Sequence, residues 1–97
     1  MKGLIGRSSE AFLPGSGIWI VPCNGIHTVG MRYAIDVAYL DSQKRVLKSY
    51  HRLKPYRFGA LMLRARSVLE FPAGTLERTH TEVGDLLEIC PTEKLLD

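Results

Sequence analysis

A chain of 97 residues with 45% hydrophobic and 24% charged side chains has the balance of one globular domain spanning 1–97, which excludes a disordered tail and a multidomain enzyme. Its formal charge is +3, and two cysteines are too few for a disulfide scaffold. No apolar run approaches the ~20 residues that cross a bilayer, and Leu4-Ile5 is broken at once by Gly6 and Arg7, so no secretory leader is expected. The expectation is a cytoplasmic protein, not membrane-bound, with Cys23 and Cys90 reduced.

In chain order, residues 2–12 place Leu4, Ile5 and Phe12 near helical spacing and predict a short helix. A turn cluster at 13–17 (Pro14, Gly15, Ser16, Gly17) leads into a strand at 18–21, which ends at Pro22 and carries Trp19 as a core residue. Asn24-Gly25 predicts a tight turn with positive φ, followed by a short extended piece at 26–29. Gly30 marks a bulge or a close backbone approach. The clearest strand is 33–40, with Tyr33, Ile35, Val37 and Tyr39 on one face and Asp36 on the other. Asp41 opens a turn, its side chain accepting from backbone N–H groups, and 45–50 returns as the partner strand of a hairpin.

Pro55 excludes a central strand at that point. The alternation over 61–71 predicts a long strand with Leu61, Leu63, Ala65, Ser67, Leu69 and Phe71 on its inner face. Pro72 ends it, residues 73–79 form a helical turn, and 83–89 is the last strand. The tail at 92–97 is polar. Five or six short strands with one or two short helices imply a small, mainly β domain of the α+β kind, a barrel or a sandwich.

Three blocks in fixed order carry a resemblance. They are Pro22-Cys23-Asn24-Gly25-Ile26-His27-Thr28-Val29-Gly30-Met31-Arg32-Tyr33 continuing to Asp41, Ala65-Arg66-Ser67-Val68-Leu69-Glu70-Phe71-Pro72-Ala73-Gly74-Thr75, and Val83-Gly84-Asp85. With Gly3-Leu4-Ile5-Gly6-Arg7 near the start, they resemble the bacterial and archaeal family called domain of unknown function 192 over nearly the whole chain. The resemblance implies a compact, mainly β domain and no established activity. Members carry a stretch before the Gly-Leu motif that supplies an opening strand, whereas here Met1-Lys2 precede it. The expectation is an open sheet edge, suited to a homodimer or a strand-donating partner.

Charge is segregated. Residues 42–69 hold eight cations and no carboxylate, while 70–97 hold seven carboxylates and two cations. The basic run (Lys44, Arg45, Lys48, Arg52, Lys54, Arg57, Arg64, Arg66) is interleaved with Tyr50, Tyr56 and Phe58, a combination suited to single-stranded nucleic acid or another anion. A solvated sheet face whose charge guards an edge is the preferred reading of the same residues.

Asp36, in mid-strand, needs partners if its face is covered, and Arg32 and Arg66 are the natural ones. With His27 these residues form a candidate binding pocket, weighed against a structural ion pair, which is preferred. Cys23 and His27 have a Cys-x-x-x-His spacing that suits a thiol nucleophile or two zinc ligands, but the chain offers no second such pair. A buried thiol and a turn histidine remain the preferred reading. The 70–75 corner is structural, since it lacks the glycines and the lysine of a phosphate loop.

The functional expectation is therefore a non-catalytic binding or accessory module, with no cofactor and no assigned catalytic residue, meeting a protein partner or an anionic ligand. The second reading is nucleic-acid or anion binding through Lys48, Arg52, Lys54, Arg57 and Arg64. The third is a small enzyme or metal protein using Cys23, His27 and Asp36.

Overall fold

The computed structural model describes residues 17–89. The helix expected at 2–12, most of the 13–17 turn, Cys90 and the 92–97 tail lie outside them. Four strands, β1 (Ile18–Ile20), β2 (Ile35–Leu40), β3 (Val46–Leu53) and β4 (Ser67–Pro72), form one antiparallel sheet in the order β1-β4-β2-β3, and one short helix, α1 (Thr75–Arg78), follows β4. The β-rich domain with a short helix is the architecture the strand pattern implies. Among the described residues the sheet is open and not closed into a barrel.

β2 organises the core because both of its faces are covered. All six of its residues are buried. One face presents Ile35, Val37 and Tyr39, packed with Ala65 and Val68 and sealed by Cys23, Ile26, Met31 and Met62. The other presents Ala38 and Leu40, packed with Val46 and Leu69 and sealed by Trp19, Phe71, Leu87 and Ile89. Each aliphatic side chain fully removed from water in this way contributes about 1.5–3 kcal/mol.

The β2–β3 hairpin forms as expected. Asp41 Oδ1 accepts from the N–H groups of Gln43 and Arg45 at 2.8 and 3.0 Å. Those two bonds, reinforced by the nearby Arg45 and Arg64 charges, hold the Asp41 carboxyl below its usual range. β3 runs three residues further than the expected partner strand, to Leu53.

Three expectations are corrected. Asn24-Gly25 does not supply a positive φ; among the described residues the glycines that do are Gly30, Gly74 and Gly84. What Gly25 provides is close approach, since a Cβ there would lie 3.3 Å from Leu61 Cδ1. The 61–71 segment is a strand only from Ser67. Before it, Ala65 N–H donates to Met62 O at 3.0 Å across a turn at Leu63-Arg64, so Leu61 and Leu63 face outward and Met62 faces the core. The turn is possible because 57–66 has another partner: its backbone pairs with 23–28 rather than extending the sheet. The 83–89 segment makes a single bridge, Leu86 with Arg45, after a turn at Val83-Gly84. Leu87 and Ile89 still point inward as alternation requires.

Candidate functional site

Asp36 is fully buried, and both of its oxygens are bound by the main chain. Oδ1 accepts from Arg52 N–H at 2.9 Å and Oδ2 from Leu76 N–H at 2.8 Å. Arg52 sits at φ 55, at an irregularity in the β2–β3 register, and Leu76 lies in the first turn of α1. One carboxylate therefore joins β2, the end of β3 and the helix. Arg52 also pairs with Glu77 at 3.2 Å, but that pair is exposed and contributes about 0–1 kcal/mol.

The arginines expected as partners of Asp36 are elsewhere. Arg66 is exposed and its guanidinium donates to Leu63 O and Ala65 O at 3.1 and 3.4 Å, and Arg32 is exposed. The expected ion pair of Asp36 is corrected: among the described residues its carboxylate is bound by backbone amides and not by guanidinium groups. His27, Arg32 and Arg66 face solvent while Asp36 does not, so the structure does not assemble these four into one ligand-facing set.

Cys23 and His27 are each satisfied locally. The Cys23 thiol donates to Gly25 O at 2.8 Å, and His27 Nδ1 accepts from Val29 N–H at 3.3 Å. The His27 ring packs against Phe58, with centroids 6.1 Å apart at 54°. Among the described residues no three His, Cys, Asp or Glu side chains converge as a metal site would require.

The basic run is divided by the fold. Lys44 Nζ lies 5.5 Å from the Trp19 ring centroid and Lys48 Nζ 4.9 Å from that of Tyr50. Arg45 donates to Gly84 O at 2.9 Å. With Arg52 on Glu77, these four are engaged within the domain. Lys54, Arg57, Arg64 and Arg66 belong instead to the connection between β3 and β4, and all four are exposed.

That connection is firmly held. Arg57 N–H donates to Thr28 Oγ1 at 2.8 Å, and the buried Thr28 hydroxyl donates to Lys54 O at 2.7 Å. Gly59 N–H donates to Ile26 O and Met62 N–H to Asn24 O, each at 2.9 Å. Two tyrosines of the sheet fix its middle: Tyr39 O–H donates to Ala60 O, and Ala60 N–H donates to Tyr50 Oη at 2.8 Å. Burial, with Tyr50 and Cys23 adding to it, pushes the Tyr39 phenol up to about 12, so it stays a donor at any ordinary pH.

On this held backbone the side chains face outward. Phe58 and Leu63 are each 78% exposed, Leu61 70% and Tyr56 63%, with Val29 at 49% beside them on the paired segment. The Arg57 guanidinium lies on Pro55 O and Tyr56 O, that of Arg66 on Leu63 O. The result is an apolar ridge set among cations. The sequence pattern marks Tyr56 and Phe58 but puts Leu61 and Leu63 on an inner face; the signal that distinguishes them is Gly59-Ala60, where small residues let the backbone cross the two tyrosines.

Glu70, on β4, is pushed above the usual carboxylate range by burial. A raised carboxyl pKa means that the folded state prefers the protonated form, so this group opposes folding at neutral pH and stops doing so as the pH falls through its folded value. Glu70→Gln is expected to raise the melting temperature at pH 7 by a few degrees and to leave it unchanged near pH 3. Equal melting of the two proteins at pH 7 would contradict that account.

The comparisons with known proteins agree with this fold. The family model of domain of unknown function 192, described as an uncharacterized ACR, matches residues 1–89, and the chain belongs to that family. It is 43% identical over 63 residues to the UPF0127 protein of Pyrococcus furiosus, an alignment covering 65% of this chain and 53% of that one. It is 35% identical over 69 residues to a UPF0127 protein of Thermococcus kodakarensis, covering 71% and 43%. The chain thus spans about half the length of these relatives. A crystal structure of a protein of unknown function from Novosphingobium aromaticivorans shares the fold, with a TM-score of 0.65 and 18% identity over 76% of this chain and 57% of that one. Among the described residues no helix is long and apolar enough to cross a membrane.

Proposed function

We propose that this member of the family acts as a non-catalytic protein-binding module, and that the ridge of Tyr56, Phe58, Leu61 and Leu63 is its contact surface. The observation that carries the reading is the exposure of four large apolar side chains on one hydrogen-bonded connection. Large exposed apolar groups gathered on one held segment, in contrast to ones scattered singly, are what interaction sites present. Composition supports a protein as the partner. Interface cores are rich in aromatic residues, Met and Arg and poor in Lys, Glu and Asp, and residues 56–66 contain three Arg and no Lys, Asp or Glu.

Single-stranded nucleic acid would use the cations and the two rings, but stacking gives Leu61, Leu63 and Val29 no role. The partner that fits presents apolar side chains rimmed by carboxylates. A catalytic reading has less support, since Asp36 has no free oxygen and no access to solvent, and Cys23 and His27 are held by their own loop.

Amide chemical shifts of the labelled protein, titrated with amphipathic peptides of alternating leucine and glutamate and separately with oligouridylate, test the reading. The expected result is peptide-induced shifts confined to 56–66 and Val29, abolished by Phe58→Ser with Leu63→Ser. Shifts with oligouridylate alone, fading steeply with salt, would transfer the surface to nucleic acid.

A further inference from the structure

The ridge has a counterpart on the same molecule. Residues 81–89 contain three carboxylates, Glu82, Asp85 and Glu88, and no Lys or Arg. Val83 and Leu86 stand 60% and 61% exposed among them. This segment is also firmly placed. Val46 N–H donates to Asp85 O and Gly84 N–H to Val46 O, both at 2.8 Å, and Leu87 N–H donates to Lys44 O at 3.0 Å. Its inward residues Leu87 and Ile89 seal the Ala38 and Leu40 face of the sheet, whereas the ridge connection and its paired segment seal the Ile35, Val37 and Tyr39 face through Met62 and Ile26. One face of the sheet thus carries an apolar surface among arginines, and the other an apolar surface among three carboxylates, with the Arg45 guanidinium also seated there on Gly84 O.

We propose that the partner of the ridge is a second copy of this chain, docked head to tail so that Phe58, Leu61 and Leu63 of one copy meet Val83 and Leu86 of the next. This rests on the ridge reading above and names its occupant. Charge complementarity favours it: Arg57, Arg64 and Arg66 of one copy approach Glu82, Asp85 and Glu88 of the next, and like surfaces repel. Because the two surfaces lie on opposite faces of the sheet, the contact is heterologous, so a docked pair leaves one ridge and one acidic surface free. Association therefore grows with concentration instead of stopping at a closed dimer. With three apolar side chains on one surface and two on the other, the contact is weak and reversible. Rim charges are screened within a Debye length of about 10 Å at 0.1 M salt, so association is strongest at low ionic strength.

Sedimentation equilibrium of the full chain at several concentrations and salt levels tests this, together with two half-blocked variants at exposed positions. Phe58→Asp with Leu63→Asp disables the ridge, and Val83→Lys with Leu86→Lys disables the acidic surface. The expected result is a weight-average mass above one chain that rises with concentration and falls with added salt. Each variant alone is expected to be monomeric, and an equal mixture of the two to form a dimer that grows no further. A wild-type chain that stays monomeric at low salt up to about 1 mM, or a mixture of variants that stays monomeric, overturns the proposal. Either variant self-associating alone as the wild type does also overturns it. These failures are distinct from failure of the ridge reading, which is decided by the peptide titration on the monomeric protein.

Discussion

Asp36→Ala is expected to destabilise the domain by about 3–5 kcal/mol, since it leaves two main-chain N–H groups without an acceptor in the interior at roughly 1–3 kcal/mol each. Asp36 is fully buried, and its two oxygens are bound to Arg52 N–H and Leu76 N–H. Arg52 lies where β3 departs from regular pairing with β2, and Leu76 is in the first turn of a four-residue helix whose N-cap, Gly74, offers no side chain. Domains of this size hold only about 5–15 kcal/mol in total, and 1 kcal/mol moves the melting temperature by about 4–8 °C.

Asp36→Asn keeps the shape and is the sharper variant. Its carbonyl still accepts one bond, but its amide nitrogen then faces an N–H donor, so a loss of about 2–3 kcal/mol is expected. Arg52→Ala is the control. It removes the exposed pair with Glu77 and keeps the Arg52 main-chain N–H, so it costs less than about 1 kcal/mol. Thermal melting of the three variants checks the ordering, and an Asp36→Asn protein that melts with the wild type would sink this account.

The same residue shows what sequence can and cannot reveal. Alternation over β2 identifies the faces of Ile35, Val37 and Tyr39, and Asp41 identifies the turn, because both signals act over a few residues. That Asp36 needs partners also follows from its place in an apolar strand. Its partners do not follow, since every residue carries a main-chain N–H and none announces that it is free; only the register irregularity at Arg52 and the start of α1 create the need. Period-two patterning fails at 61–66 for a related reason. A strand and a loop lying on a second loop produce the same alternation, and the turn at Leu63-Arg64 uses no Gly, Pro, Asn or Asp that would mark it. The ridge was illegible because its exposure depends on that turn. The division of the basic run was equally hidden, because it depends on Trp19 and Tyr50 lying beneath Lys44 and Lys48.

Gly59→Ala should couple stability to the ridge. A Cβ at Gly59 would sit 2.6 Å from the Tyr39 hydroxyl, 2.7 Å from Ile26 Cγ2 and 3.3 Å from Tyr50 Cε2. None of these groups can easily withdraw. The Tyr39 hydroxyl is bonded to Ala60 O, the Tyr50 hydroxyl to Ala60 N–H, and Ile26 accepts from Gly59 N–H itself. Overpacking of this kind costs about 1–3 kcal/mol, and relief requires the connection to lift from the sheet, breaking those bonds in turn. A total near 3–4 kcal/mol is expected, with loss of the peptide-induced shifts at 56–66 even where the sheet remains folded. Tyr39→Phe removes the nearest clashing atom, so the double variant should be distinctly more stable than the sum of the two single losses implies, as neighbours sharing one contact are not additive. Strict additivity of the two substitutions, or a Gly59→Ala protein that binds peptide as the wild type does, would show that the ridge is not held through Tyr39 and Tyr50. If the coupling is found, the exposed apolar surface is a feature the core is built to present: two buried tyrosines of the sheet hold the backbone from which Phe58, Leu61 and Leu63 project.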